Sequence, residues 1–114
     1  MNSILFDLSL DTIREFTEVN PFVIVDFWSE ECTICKIIIP ELEKFALDNL
    51  GVCVFAKFKV DIDREIVSNR FGIKGVPVFI AFVDGVEMER TVGFYGNKTL
   101  NWMKKMINIA NYMS

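Results

Sequence analysis

Residues 22–35 have the sequence FVIVDFWSEECTIC, an apolar run followed closely by two cysteines spaced three apart. The run Phe22–Trp28 is typical of a buried strand, and the apolar spacing from Ile34 to Ala46 predicts the inner side of a following helix. Cys32 is therefore expected near a helix N-terminus, where free backbone N–H groups and the helix dipole stabilise a thiolate. Because the thiolate is the nucleophilic form of cysteine, this placement indicates redox chemistry.

The cysteine pair has two other interpretations. It could arise by chance, or it could form half of a structural zinc site, which needs a second cysteine pair or histidines. The chain has no histidine and only one further cysteine, Cys53, so we expect neither a metal nor another cofactor. Cys53 falls in a segment that we predict to be a central strand, where its simplest role is that of a small buried apolar side chain.

Composition narrows the possible functions. The 114 residues, 52% of them hydrophobic, predict a single domain over residues 1–114 with a substantial core. The net charge of −4 and a pI near 4.8 offer no basic face for nucleic acid and oppose binding to an anionic membrane. Without histidine, Ser-His-Asp and Cys-His catalysis are excluded.

The chain also shows no signal-peptide pattern at its start and no apolar run of membrane-spanning length. We therefore expect a cytoplasmic protein, monomeric, with proteins or small molecules as partners. In a reducing compartment, an adjacent dithiol is more often catalytic or metal-binding than structural.

Periodicity and turn residues predict alternating strands and helices. The first half should contain a short strand at 4–6, a helix from the N-cap Ser9 to about Val19, the strand 22–28, and a helix from about Ile34 to Asn49 that is kinked at Pro40. A strand at 52–60 and a short helix ending near Phe71 should follow. The chain should then form a hairpin of Val78–Val83 and Val86–Val92 that turns at Asp84-Gly85, and a closing helix from about Lys98 to Asn111. This order predicts an α/β fold with a central mixed sheet, parallel in one half and antiparallel in the other, of four to five strands flanked by about four helices.

Several short motifs together resemble the thioredoxin family over about residues 5–109. They are, in order, Val25-Asp26-Phe27-Trp28, the cysteine pair, Pro40, Ala56-Lys57, Val60-Asp61-Ile62-Asp63, Phe71-Gly72-Ile73-Lys74-Gly75-Val76-Pro77, Asp84-Gly85 and Val92-Gly93. The resemblance rests on their order and spacing rather than on any one motif. It implies the thioredoxin fold and a protein-disulfide reductase whose Cys32–Cys35 pair cycles between dithiol and disulfide.

The same resemblance assigns roles to four residues. Cys32 would be the nucleophile and Cys35 the resolving cysteine, with Asp26 moving the proton of Cys35 and Lys57 as the partner of Asp26. From the residues alone, a carboxylate inside an apolar strand is costly unless it is paired or protonated, so burial should raise the pKa of Asp26. The alternative is a buried Asp26–Lys57 pair that only stabilises the core.

The resemblance further implies a substrate-binding surface around the dithiol, with a cis Val76–Pro77 peptide bond facing the cysteines. Its expected members are Trp28, Thr33, Ile34, Val76, Pro77, Gly93 and Phe94. The substrates would be disulfide-containing proteins. Because no nucleotide site is visible in the sequence, a separate reductase would have to supply the electrons.

The active-site motif departs from the family's commonest form, Trp-Cys-Gly-Pro-Cys, because Glu31 precedes Cys32 and Thr33-Ile34 separates the cysteines. Ile34 restores a backbone N–H that would make the disulfide more oxidising, whereas Glu30 and Glu31 oppose a thiolate. The sequence does not determine which of these two effects on the redox potential of the disulfide is larger. A more oxidising exchanger or isomerase with a dedicated partner, and a binding module with an incidental dithiol, therefore remain as alternatives.

Overall fold

The computed structural model describes residues 4–113, which form a five-stranded sheet with five α-helices. The strands are β1 (Phe6–Leu8), β2 (Phe22–Trp28), β3 (Val54–Lys59), β4 (Val78–Val83) and β5 (Val86–Val92). The helices are α1 (Ile13–Val19), α2 (Thr33–Ile37), α3 (Ile39–Asp48), α4 (Arg64–Phe71) and α5 (Asn97–Met113), with a 3-10 turn at Asp61–Asp63.

The sheet has the strand order β1-β3-β2-β4-β5, with β2 in the centre. Strands β1, β3 and β2 are parallel, whereas β4 is antiparallel to both β2 and β5. Trp28 is therefore level with Lys59 at the end of β3, and Phe27 is level with Val78 at the start of β4. The segments after β2 and β3 and the segment before β4 consequently meet at one edge of the sheet.

The two faces of the sheet bury separate cores. Val23, Val25 and Phe27 of β2 point to the face covered by α1 and α4, and Ile24 points to the face covered by α3 and α5. Continuous apolar strands are what a sheet buried on both faces requires. Because side chains alternate along a strand, Asp26 shares the α3 and α5 face with Ile24.

The predicted 34–49 helix is broken rather than kinked. It ends at Ile37 and restarts at Ile39, with Pro40 in the first turn of α3. Proline has no N–H to give to the Lys36 carbonyl, and its ring is accommodated best at the start of a helix. The break accounts for five helices instead of about four.

Three other boundaries differ from the prediction. The first strand is Phe6–Leu8 instead of residues 4–6, because its pairing with β3 selects that register. Helix α1 begins at Ile13 rather than after Ser9, whose carbonyl accepts from the N–H groups of Thr12 and Ile13 and so closes a turn ahead of the helix. The prediction that Cys53 lies in a central strand is wrong: Cys53 is buried one residue before β3, and the central strand is β2.

Candidate active site

The two cysteines lie at the sheet edge where β2 ends. Cys32 and Cys35 form a disulfide, and Cys32 is the N-cap residue of α2, with its Sγ accepting a hydrogen bond from the Cys35 N–H at 3.2 Å. Cys32 is partly exposed, whereas Cys35 is 0% exposed. The N–H that reaches the Cys32 sulfur is that of Cys35 rather than that of Ile34, which the sequence had suggested as the donor.

A second loop reaches the same edge from β4. The Val76–Pro77 peptide bond is cis, and the Pro77 carbonyl accepts from the Gly93 N–H at 2.8 Å, which joins this loop to the end of β5. Thr33 and Ile34 are exposed, Val76 and Gly93 are half-buried, and Pro77 is buried. The loops that carry the predicted binding residues therefore share one edge of the sheet.

Asp26 lies in the core on the α3 and α5 side. It is 3% exposed, and neither carboxylate oxygen has a hydrogen-bond partner within residues 4–113. Burial raises the pKa of Asp26 to about 7, and the positive charge of Lys57 opposes that rise. A cavity of about 10 Å³ adjoins the carboxylate and is lined by residues that include Leu42 and Phe79, room for about one water molecule.

Lys57 is next to Asp26 in the strand register but forms its ion pair elsewhere. Its Nζ lies 3.7 Å from Oδ1 of Asp7 on β1 and 5.6 Å from the ring centroid of Trp28. The Lys59 Nζ lies 5.5 Å from the same ring, so two ammonium groups flank Trp28. Lys57 therefore acts on Asp26 through space rather than by a direct hydrogen bond, and Asp7 is a member of this site that sequence reasoning missed.

The loop before Cys32 is held by charged residues. Glu30 Oε1 accepts from Lys59 Nζ at 2.9 Å, and the Glu30 N–H donates to Asp61 Oδ2 at 3.0 Å. Arg64 Nη2 lies 2.9 Å from Asp61 Oδ1 and 3.8 Å from Glu31 Oε2. The sequence indicated the two glutamates but not their partners, although charges clustered just after neighbouring parallel strands were a usable signal.

Neither a metal-binding cluster nor a membrane-spanning helix occurs among residues 4–113. Within residues 4–113, no group of three or more Cys, Asp or Glu side chains is arranged to hold a metal ion. No helix among these residues is both long enough and apolar enough to cross a membrane.

Known proteins resemble the chain in sequence and in structure. The family model described as Thioredoxin matches residues 10–107. A thioredoxin from Mycoplasma genitalium is 36% identical over 86 residues, which cover 75% of this chain and 82% of the relative. The structure of Plasmodium falciparum thioredoxin superimposes with a TM-score of 0.80 at 25% identity, over 89% of this chain and 98% of that chain. Chlamydomonas reinhardtii thioredoxin f2 superimposes with a TM-score of 0.81 at 24% identity, over 89% of this chain and 94% of that chain.

A mixed sheet that carries a Cys-X-X-Cys disulfide at its edge, together with these relatives, defines a thiol–disulfide oxidoreductase with protein-disulfide reductase activity. The chain belongs to the thioredoxin family. The predicted thioredoxin fold is confirmed. Membership of the family implies disulfide substrates and a reductase partner.

Proposed function

We propose that this protein reduces protein disulfides with Cys32 as the attacking thiolate and Cys35 as the resolving thiol. The observation that supports this order is the contrast in exposure, because Cys32 is partly exposed and Cys35 is fully buried. Only the sulfur of Cys32 can be approached by a bulky protein disulfide. The Cys35 N–H directed at that sulfur stabilises negative charge on it.

The reaction has two exchange steps. The Cys32 thiolate attacks one sulfur of the substrate, a Cys32–substrate disulfide forms, and the other substrate sulfur leaves as a thiolate that takes up a proton. Cys35 then loses its proton and attacks the Cys32 sulfur. The Cys32–Cys35 disulfide forms, and the second substrate sulfur leaves and is protonated. The substrate has gained two electrons and two protons. A separate reductase then supplies two electrons to the Cys32–Cys35 disulfide, which takes up two protons and becomes the dithiol again.

Asp26 acts as the proton acceptor for Cys35 in the second step. A pKa of about 7 suits a group that must both accept and release a proton near neutral pH. Burial sets this raised pKa, and the charge of Lys57 lowers it in part. We predict that Lys57 is the partner of Asp26 through its charge alone, and that Asp7 competes with Asp26 for this charge.

The substrate segment binds across the loops around the disulfide. Thr33, Ile34 and Trp28 lie on the β2 side of this surface, and Val76, Pro77 and Gly93 lie on the β4 and β5 side. The exposed Ile34 and the half-buried Val76 supply apolar contact area. We place the protein in the cytoplasm as a monomer, where a reductase keeps the dithiol reduced.

The test is reduction of insulin disulfides by the reduced protein, compared with Cys32→Ser and Cys35→Ser. Turnover should vanish in Cys32→Ser, and Cys35→Ser should accumulate a mixed disulfide visible by mass spectrometry. Trapping by Cys32→Ser instead would reverse the assigned roles. A wild-type protein that is fully reduced but leaves insulin intact would exclude general reductase activity.

A further inference from the structure

The two glutamates before Cys32 differ in how far their charge is already neutralised. Glu30 has one lysine ammonium at 2.9 Å and a second, that of Lys36, at 4.0 Å. Among residues 4–113, Glu31 has only Arg64 as an ion-pair partner, at 3.8 Å, and its side chain is 89% exposed. Glu31 is therefore the weakly held carboxylate of the pair, and it is the immediate neighbour of the partly exposed cysteine.

Arg64 is held more tightly by another carboxylate. Its Nη2 lies 2.9 Å from Asp61 Oδ1, and the Asp61 side chain is only 24% exposed. The contact to the less exposed Asp61, at hydrogen-bond distance, is stronger than the contact to the exposed Glu31 at 3.8 Å. Arg64 can thus stay with Asp61 when Glu31 turns to another cation.

Glu31 precedes Cys32 in the chain and contacts Arg64, which lines a nearby groove. Arg64 lines a groove of about 290 Å³ whose walls include Val60 and Val76, and Val76 precedes the cis-Pro77 at the sheet edge of the dithiol. A substrate segment that reaches Cys32 beside Val76 runs past the rim of this groove. Substrate side chains next to the attacked sulfur would then lie near Glu31, because Glu31 is bonded directly to Cys32 in the chain.

We propose that Glu31 is a specificity-determining residue that favours disulfide substrates carrying lysine or arginine within a few residues of the attacked cysteine. The proposal rests on the proposed function, because it concerns the substrates of the same dithiol. A cation beside the substrate cysteine gains a carboxylate that is already exposed, so little desolvation opposes the contact. An acidic residue at that place meets like charge.

A competing cation is Lys74, which is exposed and lines the same groove near Val76. If Lys74 controlled selection, acidic substrates would be preferred. The sign of the preference therefore separates the two residues. We expect Glu31 to prevail, because it is next to Cys32 in the chain whereas Lys74 lies two residues before Val76.

The experiment compares three disulfide-linked peptides that differ only in whether lysine, glutamine or glutamate flanks the cysteine. The measured quantity is the ratio of kcat/KM for the lysine and glutamate peptides within each protein. Any effect of a substitution on the reactivity of Cys32 cancels in this ratio. The proteins are the wild type, Glu31→Gln, Glu31→Lys and the control Glu18→Gln, whose side chain packs against Gly85 in the hairpin turn, away from the dithiol edge.

The wild type and Glu18→Gln should prefer the lysine peptide about twofold to tenfold, because the ratio combines one attractive and one repulsive contact between exposed charges. Glu31→Gln should bring the ratio near one, and Glu31→Lys should invert it. Added salt should weaken the wild-type preference. A ratio that stays the same in both Glu31 variants, that falls equally in Glu18→Gln, or that favours glutamate in the wild type would overturn the proposal. If the wild type reduces none of the three peptides, the proposed function fails instead.

Discussion

Asp26 and Lys57 are level with each other on β2 and β3, yet Lys57 forms its ion pair with Asp7. The Asp26 carboxylate is left in the core without a hydrogen-bond partner from residues 4–113. Burial therefore dominates its ionisation and raises its pKa to about 7. A buried acid in this state costs stability when it is charged.

The first prediction concerns stability against pH. The pKa of Asp26 is about 7 in the folded protein and near 3.8 when unfolded, so the folded state retains a proton that the unfolded state releases. The stability that this retained proton gives to the folded state is therefore complete below about pH 4, declines as pH rises to about 7, and is then lost. Asp26→Asn should remove this decline and raise the free energy of unfolding at pH 8 by about 1–3 kcal/mol, allowing for an unpaired buried amide.

Urea unfolding of the oxidised proteins at several pH values from 4 to 8 checks this. At pH 4 both side chains are neutral in the folded protein, so only the cost of the unpaired amide remains and the variant should be less stable than the wild type by about 1–3 kcal/mol. Parallel stability curves across the whole range would contradict a raised pKa for Asp26.

The second prediction concerns the competition for Lys57. Lys57→Met removes the charge that opposes the rise and should raise the pKa of Asp26 further. Asp7→Asn frees the Lys57 ammonium from its ion pair and should lower that pKa. Carbon-13 NMR of the Asp26 carboxyl during a pH titration measures both shifts. Shifts in the same direction in the two variants would show that Asp7 does not compete for Lys57.

The third prediction concerns the reactivity of Cys53. Burial raises the pKa of its thiol to about 12, so the nucleophilic thiolate is scarce at pH 8. Iodoacetamide should modify Cys32 in the reduced, folded protein and leave Cys53 unmodified, whereas all three cysteines should react in urea. Mass spectrometry of the peptides identifies the sites, with Cys53→Ala as the control. Rapid labelling of Cys53 in the folded protein would contradict its role as an inert core side chain.

The fourth prediction concerns Gly93 at the end of β5. Its φ is +83°, and an added Cβ would lie 2.9 Å from Cε2 of Tyr95. Gly93→Ala should lower the free energy of unfolding by about 1–2 kcal/mol, from backbone strain and crowding together. The double variant Gly93→Ala, Tyr95→Ala should recover only the part of the lost free energy of unfolding that comes from crowding.

Gly75→Ala is the matched control, because a Cβ there meets nothing within 4 Å. It should change stability by less than about 0.5 kcal/mol. Full recovery in the Gly93→Ala, Tyr95→Ala double variant would assign the whole cost to the tyrosine ring and none to the backbone.

Local signals predicted most of the strands and turns. The hairpin 78–83 and 86–92 has its predicted bounds because Asp-Gly between two strand-forming segments specifies a tight turn. The strand Phe22–Trp28 also has its predicted bounds, since only Asp26 interrupts its run of apolar residues. Both patterns depend on residues that are neighbours in the chain.

Boundaries set by long-range contacts were predicted less well. Strand β1 starts later than expected because β3 fixes its register, and Cys53 lies outside the strand that its apolar neighbours suggested. The break at Ile38 shows how strongly a proline interrupts a helix when the restarted helix can still pack on the core.

By itself, the sequence determined the chemistry available to this protein: one cysteine pair after a buried strand, a carboxylate within that strand, and no histidine. Only the tertiary structure decided how these groups are coupled. It set which cysteine is exposed, turned Lys57 toward Asp7, and tied Glu30 and Arg64 to Asp61 while leaving Glu31 weakly held. The physical reason is that ionisation and ion pairing depend on burial and on distances between side chains from different strands, which residue order along the chain does not specify.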